Sequence, residues 1–342
     1  MAEVIYLLNK DTLIVKPPKK SPLVYRMIVL AFSMFCGLYV CSICLKQISR
    51  HAKPNLLNIQ ITEEPCELHC VKQFDKPSIH YPKPKTFSRA ECADNPVRYF
   101  VIISTQRSGS GWFETLLNSH ANVSSNGEIF SIMDRRKNAS SILQTLDKVY
   151  NLDWFSSASK NECSAAVGFK WMLNQGVMDH HIEIVQYFTR RHVSVIFLFR
   201  RNLLRRMVSM LANSFDRYAK LLNGTHKSHV HSPQEAVILS GYKPMINSSS
   251  LINGFKEMER TVSEVLTYYD TTRHIVLYYE DLMKNWTKLK EVQEFLNLPT
   301  MDLRSRQIKI HSGPLSDHIK NWDDVLKTLN GTSYERFIHT DY

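Results

Sequence analysis

Apolar residues gather in blocks along this chain, and the blocks differ in spacing. Tyr99–Ser104 (YFVIIS) and Val193–Phe199 (VSVIFLF) are short, nearly continuous and rich in β-branched and aromatic side chains, the pattern of strands buried on both faces. Ala166–Lys170 (AVGFK) and His274–Glu280 (HIVLYYE) read the same way. Helical spacing of large apolar side chains follows the first strand over Trp112–Leu117 (WFETLL), and a second helix is predicted from Asn202 through Ser209. Strands alternating with helices predict an α/β fold, a doubly wound parallel sheet flanked by helices, with ligand at the carboxyl ends of the strands.

One further block is longer than any strand. Met27–Leu45 contains no charged residue and lies between Arg26 and Lys46, the length a helix needs to cross a bilayer. The reading is a single transmembrane signal anchor over 27–45. A cleavable signal peptide is the alternative, but its apolar core usually runs only ~7–15 residues behind a short basic leader. Lys10, Lys16, Lys19, Lys20 and Arg26 precede the block against Glu3 and Asp11, so residues 1–26 are expected to stay cytoplasmic and the remainder to be lumenal. Asn-X-Ser/Thr acceptors at Asn122, Asn138, Asn223, Asn247, Asn285 and Asn330 all follow the block. So do Cys66, Cys70, Cys92 and Cys163, an even set open to three disulfide connectivities or to remaining as buried thiols. Scattered prolines and weak periodicity make residues 46–96 a stem, and residues 97–342 the catalytic domain.

The first strand runs into Thr105-Gln106-Arg107-Ser108-Gly109-Ser110-Gly111 and then the helix opened by Trp112. Strand, glycine-serine loop and helix form an anion cradle: glycines let backbone N–H groups turn inward, and the helix N-terminus adds partial positive charge. No Lys-Ser or Lys-Thr follows the glycines, which argues against metal-dependent hydrolysis of a nucleoside triphosphate. The strand Val193–Phe199 ends at Arg200-Arg201-Asn202. Ser209 falls about two helical turns beyond, so Arg201 and Ser209 are expected to converge on one phosphate. Arg200 replaces Arg201 if the register is shifted by one.

These segments carry a family resemblance. Gln106–Trp112 resembles the 5′-phosphosulfate loop of sulfotransferases, written P-K-S-G-T-T-W, with Arg107 at the lysine, Ser110 for threonine and Gly111 where a hydroxyl is usual. Arg201-Asn202 with Ser209 resembles the family's 3′-phosphate motif, with leucine in place of the usual proline, and Tyr279-Glu280-Asp281-Leu282 followed by Phe295–Pro299 resembles its YEDL…FLGLP stretch. The likeness spans about Tyr99 to Trp322, including a Ser312-Gly313-Pro314 loop, and arginine in the first loop points to the carbohydrate and nodulation-factor-type branch. It implies a P-loop-type fold and 3′-phosphoadenosine 5′-phosphosulfate (PAPS) as sulfuryl donor, held by Arg107, Ser108, Gly109, Ser110, Gly111, Trp112, Arg201 and Ser209. It also implies a glycan or other hydroxyl acceptor in the Golgi lumen, no metal, and no nucleic-acid partner. Arg107 is then placed to offset charge on the leaving phosphate, and Glu128, in the Gly-Glu stretch after the first helix, to act as the base. His120 and Lys170 are reserves for that role.

The net charge of +11 fits anionic ligands without choosing among them. A Golgi glycosyltransferase would share the anchor, stem and acceptor sites, but no Asp-X-Asp metal motif is present; Asp323-Asp324 is adjacent and follows Trp322. A non-catalytic membrane-tethered glycan binder would keep the fold and the charge. The long segment Leu221–Leu251, with His226, His229 and His231, reads as a solvated loop at the edge of an acceptor cleft.

Overall fold

The computed structural model describes residues 27, 28, 30–39, 96–154, 156–159 and 164–339. The chain divides into two compact units, Met1–Val71 and Lys72–Tyr342. In the first unit, residues 27, 28 and 30–39 are helical with exposed apolar side chains, Phe32 and Phe35 among them. Among the described residues no helix is long and apolar enough to cross a membrane, so the expected complete span is not found. Residues 40–95, with Cys66, Cys70 and Cys92, lie outside the described residues, as does Cys163.

The second unit is built on a parallel sheet: β1 (Arg98–Ser104), β2 (Val123–Ser125), β3 (Ala166–Met172), β4 (Ser194–Phe199) and β5 (His274–Tyr278), in the order β2-β3-β1-β4-β5. Alternation along the strands divides the core in two. Val101, Ile103, Val195, Phe197 and Phe199 join one apolar cluster, while Phe100, Ile102, Ile196 and Leu198 join another on the opposite face. Both faces are covered by helices, which explains the nearly continuous apolar runs. Helix α1 (Ser110–Ser119) places Phe113, Leu116 and Leu117 in the second cluster. In chain order follow α2 (Ala139–Tyr150), α3 (His181–Arg191), α4 (Leu203–Ala219), α5 (Pro233–Ser240), α6 (Ser248–Tyr268), α7 (Tyr279–Lys284), α8 (Thr287–Phe295), α9 (Trp322–Leu329) and α10 (Arg336–His339).

The register aligns Ser104 with both Met172 and Leu198, so β1, β3 and β4 end at one level. The chain leaves β1 toward β2 and leaves β4 toward β5, in opposite directions across the sheet. A crevice therefore opens at the carboxyl ends of β1 and β4. The fifth strand stops two residues earlier than its apolar run suggests, because Glu280 turns inward and accepts the backbone N–H groups of Arg201 and Asn202, each at 3.0 Å. Residues 221–251 are less irregular than expected, since they contain α5 and the start of α6.

Candidate active site

The loop after β1 is bent by two left-handed residues, Arg107 (φ 64°) and Gly109 (φ 82°). Glycine is required at 109 on steric grounds as well: a Cβ there would stand 2.3 Å from Cδ2 of Tyr279. Thr105 Oγ1 and Ser108 Oγ share a hydrogen bond of 2.5 Å that braces the turn. Ser108 is fully buried and does not line the cavity, so its side chain shapes the loop rather than facing a ligand. Gly109 caps α1 without a side-chain hydrogen bond, leaving the helix N-terminus available to an anion.

Above this loop lies a cavity of about 350 Å³. Arg107, Gly109, Ser110, Gly111, Trp112, Glu128, Lys170, Arg200, Ser209 and His229 all contribute to its wall. The two sequence motifs meet directly: Arg107 Nε donates to Ser209 Oγ at 2.9 Å. Arg107 Nη1 also donates to the Ser228 carbonyl at 2.9 Å. Burial and the charge of Arg200 push the Arg107 guanidinium down to about 10, so it stays protonated at neutral pH.

Arg201 is the expected phosphate ligand that the structure does not bring here. Its guanidinium forms a two-point ion pair with Asp281, stacks 3.9 Å from the centre of the Tyr278 ring, and borders a separate groove with Glu259 and Arg336. That hydrogen-bonded carboxylate holds its pKa above the ordinary value. Arg200 is the arginine that lines the cavity, 5.1 Å from the centre of the Tyr279 ring. The cause is alternation along an extended chain: residue 200 continues the even-numbered face of Ile196 and Leu198 on which α1 packs, and residue 201 continues the odd-numbered face. Asn202, used in sequence to choose Arg201, is the N-cap of α4, its side chain accepting from Arg205 N at 2.9 Å.

Arg205 and Arg206 are buried, at 4% and 8% exposure, although charged residues are ordinarily solvated. Arg205 Nη2 donates to the Gly313 carbonyl at 3.0 Å, which ties α4 to the Ser312–Pro314 loop. Burial and the charge of Arg200 push Arg206 to about 10 as well, and its Nε is buried without a partner among the described residues. Among the described residues neither Arg107 nor Arg206 forms an ion pair with a carboxylate. Gathering like charges under a protein surface is costly unless an anion compensates them, so this cluster suits a phosphorylated ligand.

Glu128 lines the same cavity, delivered by Gly127 (φ 79°). Buried Glu114 of α1 accepts from Gly127 N at 2.9 Å and Ser125 Oγ at 2.7 Å, and so fixes the approach to Glu128. Lys170 Nζ stands between the two carboxylates, 3.6 Å from Glu114 Oε2 and 3.5 Å from Glu128 Oε2. Gln175 Nε2 donates to Glu128 Oε1 at 2.5 Å. His120, by contrast, is buried away from the cavity, its Nε2 2.9 Å from the Pro299 carbonyl and its Nδ1 accepting from Asn122 N.

Two histidines of the wall stand outside both sequence motifs. His229 reaches the cavity from the segment between α4 and α5, and His311 from the segment before α9. The two segments join through one antiparallel bridge, Val230 to Ile308. Burial first, then the charges of His318, Arg107, Arg200 and Arg205, hold His311 down at about 3. A lone histidine carries no periodicity signal, and a long-range bridge of one residue pair leaves none either. Among the described residues no group of His, Cys, Asp and Glu side chains is arranged to hold a metal ion.

Residues 98–324 match the sulfotransferase domain family. Nodulation protein H of Rhizobium meliloti is 24% identical over 249 residues, which cover 71% of this chain and 95% of that protein. Among solved structures, the sulfotransferase domain from the curacin biosynthetic pathway aligns with a TM-score of 0.34 and 16% identity, over 71% of this chain and 89% of that one. The mouse sulfotransferase SULT7A1 complexed with PAP aligns at 0.34 and 12% identity, over 60% of this chain and 61% of that one. With a cradle loop, a second basic motif meeting it, and a family match across most of its length, the chain belongs to the sulfotransferase domain family and is a sulfotransferase enzyme.

Proposed function

We propose that the cavity binds PAPS and that the enzyme transfers its sulfuryl group to a hydroxyl of a glycan. The observation that carries this reading is the hydrogen bond from Arg107 to Ser209, because it joins the loop suited to a 5′-phosphosulfate with the helix suited to a 3′-phosphate. Arg107 and the N-terminus of α1 take the 5′ end, while Ser209 and Arg200, in place of Arg201, take the 3′-phosphate. The acceptor oxygen attacks sulfur in line as the bond from sulfur to the bridging phosphate oxygen breaks. Glu128 receives the hydroxyl proton, and Arg107 offsets the charge gained by the departing 3′-phosphoadenosine 5′-phosphate (PAP).

Arginine at 107, the feature that resembles the carbohydrate and nodulation-factor-type branch, favours a carbohydrate-type acceptor, and the uncharged block 27–45 with its basic flank favours a single-pass anchor in the Golgi membrane. Asn138, Asn223, Asn247, Asn285 and Asn330 are exposed and open to lumenal glycosylation, whereas Asn122 is 3% exposed. The test supplies the purified full-length chain with radiolabelled PAPS and a panel of glycans, peptides and small alcohols. Label in a glycan is expected; label only in peptides or small alcohols overturns the acceptor class, and label in none overturns the donor reading.

A further inference from the structure

Position 111 lacks the side chain that the loop pattern usually carries, and another residue stands in the space. A Cβ on Gly111 would lie 2.3 Å from both Cε1 and Nε2 of His229 and 3.2 Å from its Cδ2. The outer edge of the imidazole is therefore where a side chain at 111 would project. Gly111 is the second residue of α1, in backbone that any residue adopts, so its conformation gives no reason for glycine. The space does.

His229 is held at this point from both sides. Ser228 before it accepts from Arg107 at 2.9 Å, and Val230 after it is fully buried and bridged to Ile308. The ring is open to the cavity and shares its wall with Arg107, Lys170 and Glu128. Burial, then the charges of Arg107, Lys170 and His231, push its pKa down to about 4. At neutral pH it thus carries one N–H and one bare nitrogen.

We propose that His229 supplies, from a distant segment, the hydrogen-bonding group that Gly111 lacks, its ring N–H donating to a non-bridging oxygen of the 5′-phosphate, with glycine at 111 making room for the imidazole. This rests on the cavity being the PAPS site, and it adds a donor-binding residue outside both motifs. The arrangement makes positions 111 and 229 energetically coupled, which a double-mutant cycle measures.

The test is calorimetric titration of the full-length chain with PAP and with adenosine 3′-monophosphate, which lacks the 5′-phosphate. His229→Ala is expected to weaken PAP binding roughly tenfold, the loss of one hydrogen bond to a charged group, while changing adenosine 3′-monophosphate binding less than about twofold. Gly111→Ser alone should weaken PAP binding by crowding the ring, and the same change in a His229→Ala background should restore affinity to within about threefold of wild type. His229→Gln, which keeps an N–H donor, should lie between wild type and His229→Ala and serves as the second variant should the alanine chain not fold. Unchanged PAP affinity in both His229 variants, equal losses for the two nucleotides, or purely additive effects at 111 and 229 would overturn the assignment. A wild-type chain that does not bind PAP removes the donor reading and this inference together, whereas wild-type binding with an indifferent His229 removes this inference alone.

Discussion

Arg200 and Arg201 are neighbours with the same side chain, yet their guanidinium groups meet different partners. Arg201 pairs with Asp281, beside the pair formed by Glu259 and Arg336. Arg200 lines the cavity with Arg107, and its charge depresses the pKa values of Arg107 and Arg206. Chemistry alone does not mark a phosphate-binding arginine. What separates the two is position: one guanidinium is held by a carboxylate, and the other shares a cavity with the cradle loop.

Removing the cation of the cradle loop should have the largest effect. Arg107→Ala is expected to lower turnover roughly a thousandfold, the scale of losing a group that stabilises transition-state charge, and single-turnover assays with radiolabelled PAPS read it directly. A loss below about tenfold would contradict the leaving-group role. Glu128→Gln comes next, with kcat reduced roughly a hundredfold and PAP affinity within about twofold of wild type. A rise in KM for PAPS with kcat intact would instead make Glu128 a binding residue.

The smallest expected effect is on stability. His311 titrates near 6.5 when unfolded and near about 3 when folded, facing His318, Arg107, Arg200 and Arg205. Below pH 6.5 the unfolded chain therefore binds the extra proton, and folding stability falls as pH drops toward 3. His229, held at about 4, acts in the same direction. The melting temperature should decrease between pH 7 and 5, and His311→Gln should flatten that slope; an unchanged slope would remove His311 as a contributor.

Much of this molecule is legible in its sequence, for identifiable reasons. Strands β1, β3 and β4 are buried on both faces, so their composition announces them, and the cradle loop is local, so its residues lie together in the chain. Strand β2 has three residues, too few for any pattern. The face taken by an arginine at a strand tip is not local, since it depends on which side of the sheet α1 covers. Once α1 is known to pack on Ile102 and Ile196, parity alone selects Arg200. The burial of Arg205 and Arg206 leaves no mark in the sequence, because charged side chains are ordinarily solvated. His229 was hidden because the space it fills belongs to a glycine far away in sequence.

The central claim is that the face of the β4 tip that lines the cavity with Arg107 is the anion site. PAP affinity of Arg200→Ala and Arg201→Ala, measured side by side on the full-length chain, tests it most directly. The account predicts a loss of roughly tenfold or more for Arg200→Ala, with Arg201→Ala within about twofold of wild type. Comparable losses in both variants, or a larger loss at Arg201, would contradict it.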